Sequence, residues 1–180
     1  MPGGIDFEIR TKFHPEKPTP EEIDYMKDLD PTLAGILTHK ILTIAGEGNE
    51  TLVKLGASSG CRWGDTALAI YTNSGDNAVS ATGLYFHAVL GSTGVKYILK
   101  HWLNDPSVGV KPGDVFFCND PFYLGVHASD MGYLPPSSSE KSLSVLLEPS
   151  SIVGNVGLVN RGVYQAPQEA SMMKDYRLHL

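Results

Sequence analysis

The sequence predicts a mixed α/β (α+β) fold. Three patterns predict it: apolar residues at helical spacing after Pro31 and again after Leu84, two short strand-like runs joined by Asn73-Ser74-Gly75-Asp76, and a hydrophobic strand, Val115 to Cys118, that ends in Asn119-Asp120-Pro121. A chain of 180 residues with 42% apolar composition is long and apolar enough to bury one core.

Residues 1–18 are polar and contain His14-Pro15 and Lys17-Pro18, which disfavour regular structure, so they are expected to form an arm over a neighbouring surface. Thr19-Pro20-Glu21-Glu22 announces a helix running to about Asp28: threonine caps, proline fits the first turn, and the acids complement the positive end of the dipole. From Pro31 a second helix carries Leu33, Ile36, Leu37, Ile41, Leu42 and Ile44, and is expected to be an amphipathic core helix ending near Gly46-Glu47-Gly48. Asp65 to Thr72 reads as a largely buried strand and Ala78 to Thr82 as its hairpin partner. Leu84 to Leu103 is expected to be a long helix with Val89, Val95, Ile98, Leu99 and Trp102 inward, and with Gly91 and Gly94 marking close backbone approach. Lys111-Pro112-Gly113-Asp114 then turns the chain into the strand Val115 to Cys118.

Composition excludes several functions. Fourteen Lys and Arg against twenty Asp and Glu give a net charge of -6 with no basic block, which disfavours nucleic acid. The start lacks the features of a secretory signal, and no apolar run approaches the roughly 20 residues that span a bilayer, so a cytoplasmic location without membrane insertion is expected. Cys61 and Cys118 have neither CxxC spacing nor the density of a disulfide scaffold and are expected to be reduced, packed thiols. Gly46-x-Gly48 is too short for a nucleotide loop and no GxxxxGK[ST] occurs, so any ATP is expected to bind elsewhere. Trp63, Trp102 and Phe122 read as core or interface aromatics.

Chemistry concentrates in one segment. Asp120 follows a buried strand, and within ten residues the chain supplies His127 and Asp130. Two carboxylates and an imidazole form a mostly hard O/N set, suited to Mn²⁺, Fe²⁺, Zn²⁺ or Mg²⁺. The plainer alternative makes Asp120 an Asx-type turn before Pro121, His127 a loop histidine and Asp130 a solvent-exposed side chain. Asp65, at the start of a strand, is either a fourth ligand or a strand-end cap.

Three stretches resemble the N-terminal region of the hydantoinase B/oxoprolinase family, most closely the α-type subunits of its acetone and acetophenone carboxylases: Gly64 to Asp76, Ser80 to His87, and Val110 to Asp130. The resemblance covers residues 31–134 and makes residues 19–134 a fragment of that family's N-terminal domain. It implies a manganese site in which Asp120, His127 and Asp130 match the Asp/His/Asp set of the Asn-Asp-Pro loop. Asp65 falls where the carboxylases have Glu. His87 is implied either as a residue supporting the metal ligands or facing the substrate, or as a packed helix-start histidine. The family's enzymes are multi-subunit, so the resemblance also implies a hydantoinase A-type subunit that handles ATP and, in acetone-type carboxylation, a small third subunit. The substrate would be a ketone in the carboxylase version and a cyclic amide in the hydantoinase or 5-oxoprolinase version. A non-catalytic remnant or assembly module is the rival expectation.

Residues 135–180 depart from the resemblance. The codons of Met172-Met173-Lys174, read one base earlier, encode Asp-Glu, and continuing toward Arg177-Leu178 recreates a Tyr-Asp-Glu-Gly-Leu-Arg-like family segment. Residues 135–176 are therefore expected to be a frame-shifted reading. Translating the neighbouring frames of the encoding DNA checks this: family sequence should reappear between Leu134 and Arg177, and its absence from both frames would end the idea.

Overall fold

The computed structural model describes residues 5–55, 59–82, 84–110, 114–118, 120–124, 130 and 132–135; the frame-shift expectation and most of the tail lie outside them. Helix α1 (Phe7–Thr11) falls within the arm expected to lack regular structure. Its cap is Asp6, whose carboxylate accepts the Ile9 N–H at 3.2 Å, and the prolines come only after it has ended. Helix α2 (Pro20–Lys27) has the expected start: the Thr19 hydroxyl accepts the Glu22 N–H, and the Glu22 carboxylate accepts the Thr19 N–H.

Helix α3 (Pro31–Leu55) departs from expectation twice. It runs past Gly46 and Gly48, because Gly48 serves packing rather than termination: a side chain there would collide with Leu68, so glycine lets the helix lie against the sheet. Nearby, the Thr66 hydroxyl donates to the Asn49 side-chain oxygen at 3.1 Å. Nor is α3 a core helix. Leu33, Ile36, Leu37, Leu42 and Ile44 are each 46% exposed or more, and Ala45 is its buried residue. Helical spacing shows which residues share a face, not whether anything covers that face. Ile23, Tyr25 and Met26 of α2 are exposed as well.

A short helix α4 (Ser59–Arg62) leads into β1 (Ala67–Tyr71), which pairs antiparallel with β2 (Asn77–Thr82). This is the expected hairpin, with Ala67 opposite Thr82 and an irregularity at Ile70/Tyr71. Helix α5 (Tyr85–His101) follows, buried without interruption from Gly91 to Ile98. Val95, Ile98 and Trp102 are in the core and Leu99 packs against it, as their spacing predicts, but Val89 is largely exposed beside Tyr85 and Phe86. Gly94 marks a close approach, with Leu124 at 3.0 Å from where a Cβ would stand. The strand β3 (Phe116–Cys118) pairs antiparallel with an unforeseen β4 (Gly132–Leu134), in the register Phe116–Leu134, Phe117–Tyr133 and Cys118–Gly132. Trp102 stacks on Phe116, with ring centroids 5.6 Å apart, whereas Trp63 lies 89% exposed and outside the core. Among the described residues no helix is long and apolar enough to cross a membrane.

The polar groups inside α5 are satisfied by the elements around it. The Ser92 hydroxyl donates to the Gly75 carbonyl at 2.6 Å, and the Thr93 hydroxyl donates to the Tyr123 carbonyl. Lys96 pairs with Asp76 at 2.6 Å and donates to the Lys12 carbonyl at 2.9 Å. Burial pushes the Asp76 carboxyl up, but Lys96, the Glu16 N–H and the Ser74 hydroxyl outweigh it and hold the group below the ordinary value.

A carboxyl depressed in the folded state stabilises above its unfolded value of 3.8, and the contribution is lost as pH falls through the lower folded value. Lys96→Met should therefore destabilise the protein by about 3–5 kcal/mol at neutral pH, because Asp76 is left buried and unpaired. With Lys96 gone, burial is opposed only by the Glu16 N–H and the Ser74 hydroxyl and the Asp76 carboxyl rises, so the deficit should narrow on acidification. Urea unfolding of both proteins between about pH 4 and 7 measures this.

Candidate metal centre

The β3–β4 ladder explains how residues far apart in the loop come together. Cys118 and Gly132 are its last pair before the loop, so Asp120 and Asp130 each stand two residues beyond the same end of two hydrogen-bonded strands. Neighbouring strands lie about 4.8 Å apart, so the two acids leave the ladder from adjacent backbone positions. Both are 2% exposed. The expectation of a solvent-exposed Asp130 is thereby overturned: the strand that was not foreseen carries it back into the fold.

Asp120 satisfies both readings of its sequence context. Its Oδ1 accepts the Phe122 N–H at 2.9 Å, making the Asx turn, and its carbonyl receives the N–H groups of Tyr123 at 3.0 Å and Leu124 at 3.1 Å. Yet an Asx turn alone does not require burial, and no cation among the described residues forms an ion pair with this carboxylate. Burial pushes the Asp120 carboxyl up, against the lowering effect of the Phe122 N–H and the more distant Arg10 charge. A bound divalent cation would offset that desolvation, so the Asp120 carboxylate suits a hard metal ion. Cys118 does not compete for it. Burial pushes its thiol up to about 12, and its sulfur accepts the Asp120 N–H at 3.4 Å, which makes it a packing group rather than a thiolate ligand. Both cysteines are free and buried.

Asp65 immediately precedes the Thr66–β1 segment and accepts a hydrogen bond from His87 Nε2 at 2.8 Å. His127 and Asn119 lie outside the described residues. Among the described residues no three His, Cys, Asp or Glu side chains are gathered closely enough to hold a metal ion, so Asp65 is not clustered with Asp120 and Asp130. A hollow of roughly 440 Å³ beside the start of α5 is lined by Phe13, Tyr85, Phe86, Val89 and Leu90, and offers no polar group for chemistry.

Sequence reasoning missed the clasp that holds the Asp120 turn. The Asp6 N–H donates to the Tyr123 hydroxyl at 2.7 Å, and the Arg10 guanidinium sits over the Phe122 ring, 4.9 Å from its centroid. Asp6 also pairs with Lys100 at 2.8 Å and His101 at 2.9 Å, and these partners hold its carboxyl well below the usual carboxylate range. The N-terminal segment thus ties the residues after Asp120 to the end of α5. The pairings span about a hundred positions and leave no local sequence signal.

Comparison with known proteins gives the chain's family. The family described as hydantoinase B/oxoprolinase matches residues 30–158, past Leu134, where the resemblance was expected to stop. The acetophenone carboxylase delta subunit of Aromatoleum aromaticum is 32% identical over 130 residues, covering 71% of this chain and 18% of its own length. A 5-oxoprolinase of Saccharomyces cerevisiae is 29% identical over 116 residues, covering 64% of this chain and 9% of its own. Among solved structures, a nucleotide-free acetone carboxylase superposes with a TM-score of 0.57 at 25% identity, over 71% of this chain and 16% of that one. The chain spans less than a fifth of the length of each of these relatives. With the family match extending over more than half of its residues, the chain belongs to the hydantoinase B/oxoprolinase family.

Proposed function

We propose that this chain supplies metal ligands to an ATP-dependent ketone carboxylase-like enzyme, with Asp120, His127 and Asp130 holding a divalent cation and Asp65, which is not gathered with Asp120 and Asp130, left out of the set. Mn²⁺ is the favoured ion, with Zn²⁺ or Fe²⁺ as alternatives. The observation that carries the reading is the hairpin register, which sets two buried carboxylates beyond the same end of the β3–β4 ladder. The cation would polarise a substrate carbonyl and stabilise a developing enolate. The chain's own groups prepare the place. The Phe122 N–H fixes the orientation of Asp120, the Asp6–Tyr123 clasp holds the turn that follows, and the buried surroundings keep water from competing.

A hydantoinase A-type partner subunit would bind ATP, with a small third subunit in an acetone-type complex. The exposed apolar residues of α2 and α3 support docking to other polypeptide, since patches of this kind mark contact surfaces. The 5-oxoprolinase relatives favour a second reading, ATP-coupled opening of a cyclic amide at the same site.

Metal analysis of the purified chain beside Asp120→Ala and His127→Ala should find about one equivalent in the parent and little in either variant. Equal and negligible metal in all three would sink the proposal. Reconstitution with the ATP-binding subunit separates the reactions: ketone-stimulated ATP hydrolysis is expected for the carboxylase, and stimulation by 5-oxoproline alone would favour the hydrolase.

A further inference from the structure

Helix α3 has two apolar faces, and one of them meets nothing among the described residues. On the first, Ala45 is buried and Gly48 lies against Leu68, so that side belongs to the hairpin. About a quarter-turn around the helix, Leu33, Leu37, Ile44 and Leu55 recur at the spacing of a single helical side. All four are largely exposed, Leu55 by 80%. Their stripe extends roughly 33 Å along the axis, or about six turns. An apolar surface of that length marks a contact with another polypeptide.

Two charges on the stripe select the partner. Lys40 stands one turn before Ile44 and Glu47 one turn after it, on the same side of the helix and with opposite signs. Both are exposed, and neither has an ion-pair partner among the described residues, whereas Lys54 is taken by Glu50 and Lys27 by Asp24. A second copy of the helix, laid antiparallel and centred on Ile44, answers this pattern. Ile44 then meets Ile44 of the second copy at the two-fold axis, and Leu33 meets Leu55 at either end. Lys40 meets Glu47 of the second copy on both sides of the axis. A parallel copy would instead set Lys40 against Lys40 and Glu47 against Glu47, which repel. A surface that complements itself under a two-fold rotation is what a symmetric dimer requires.

We infer that the Leu33–Leu55 face of α3 is a homodimer interface, in which two copies of this chain pair their α3 helices antiparallel about a two-fold axis at Ile44. The inference rests on the docking role proposed above for the exposed apolar residues of α3 and names the occupant; the metal site is independent of it. Apolar contact supplies the attraction, and the two Lys40–Glu47 pairs set direction and register.

Sedimentation equilibrium of the full chain, without metal, tests this. The mass of two chains is expected at micromolar concentration; the mass of one chain throughout would overturn the inference and leave the face to a different polypeptide. Ile44→Glu sets two carboxylates at the axis and should give a monomer with its helix content intact by circular dichroism, and an undiminished dimer in that variant would count against the interface. Lys40→Glu and Glu47→Lys should each raise the dimer Kd roughly 10- to 30-fold, because two attractive pairs become repulsive. Mixing these two variants should return the Kd to that of the parent, since each Glu of one chain then faces a Lys of the other. Single variants as tight as the parent, or a mixture no tighter than the single variants, would overturn the antiparallel pairing. Should Ile44→Glu lose its fold, the exchanges at the exposed Lys40 and Glu47 decide alone.

Discussion

The burial of helix α5 is the constraint on which the other elements depend. From Gly91 to Ile98 it has no solvent-facing side, so every polar group it carries must find a partner in whatever packs against it. Those partners are spread over the molecule. The β1–β2 hairpin is fixed by the Tyr71 hydroxyl and the Asn77 amide, both donating to the Ala88 carbonyl, and by the Ser92 bond to Gly75. The turn after Asp120 is fixed by Thr93 and by the close approach of Leu124 to Gly94. The N-terminal segment is fixed by Lys96 and Lys100. Apolar burial drives these elements onto the helix, and the hydrogen bonds decide where each one stops.

The candidate site residues are seated along this helix. At the N-terminal end of α5, His87 reaches Asp65 in front of β1. Against its middle, the Asp120 turn is seated by Thr93 and Leu124, and Asp130 leads into the strand paired with β3. Residues from segments separated in sequence are thus referenced to one buried helix. Asp120 combines a local turn with a buried position. The turn exists, and it orients the carboxylate whose burial a turn alone would not need.

What was legible in the sequence was local. The Thr19 capping box, the turn at Asn73–Asp76 and the inward positions of α5 follow from spacing and side-chain chemistry over a few residues. What was not legible depended on distant partners. Gly48 read as a helix stop because its contact with Leu68 lies twenty positions away. The three residues of β4 carry too little pattern to declare a strand without β3 beside them. The apolar stripe of α3 signalled a buried face, but spacing says nothing of what covers it. The Asp76–Lys96 and Asp65–His87 pairs have the same character: each is ordinary in sequence and meaningful only once α5 is laid against the hairpin.

The metal position proposed at the end of the β3–β4 ladder is open to direct observation. Crystals of the chain grown with Mn²⁺, with diffraction recorded at the manganese absorption edge, test it directly. The account predicts an anomalous peak within coordination distance of the Asp120 and Asp130 carboxylates, with His127 Nε2 or Nδ1 completing the contact. A manganese peak bound elsewhere in the chain, with those two carboxylates unengaged, would contradict it.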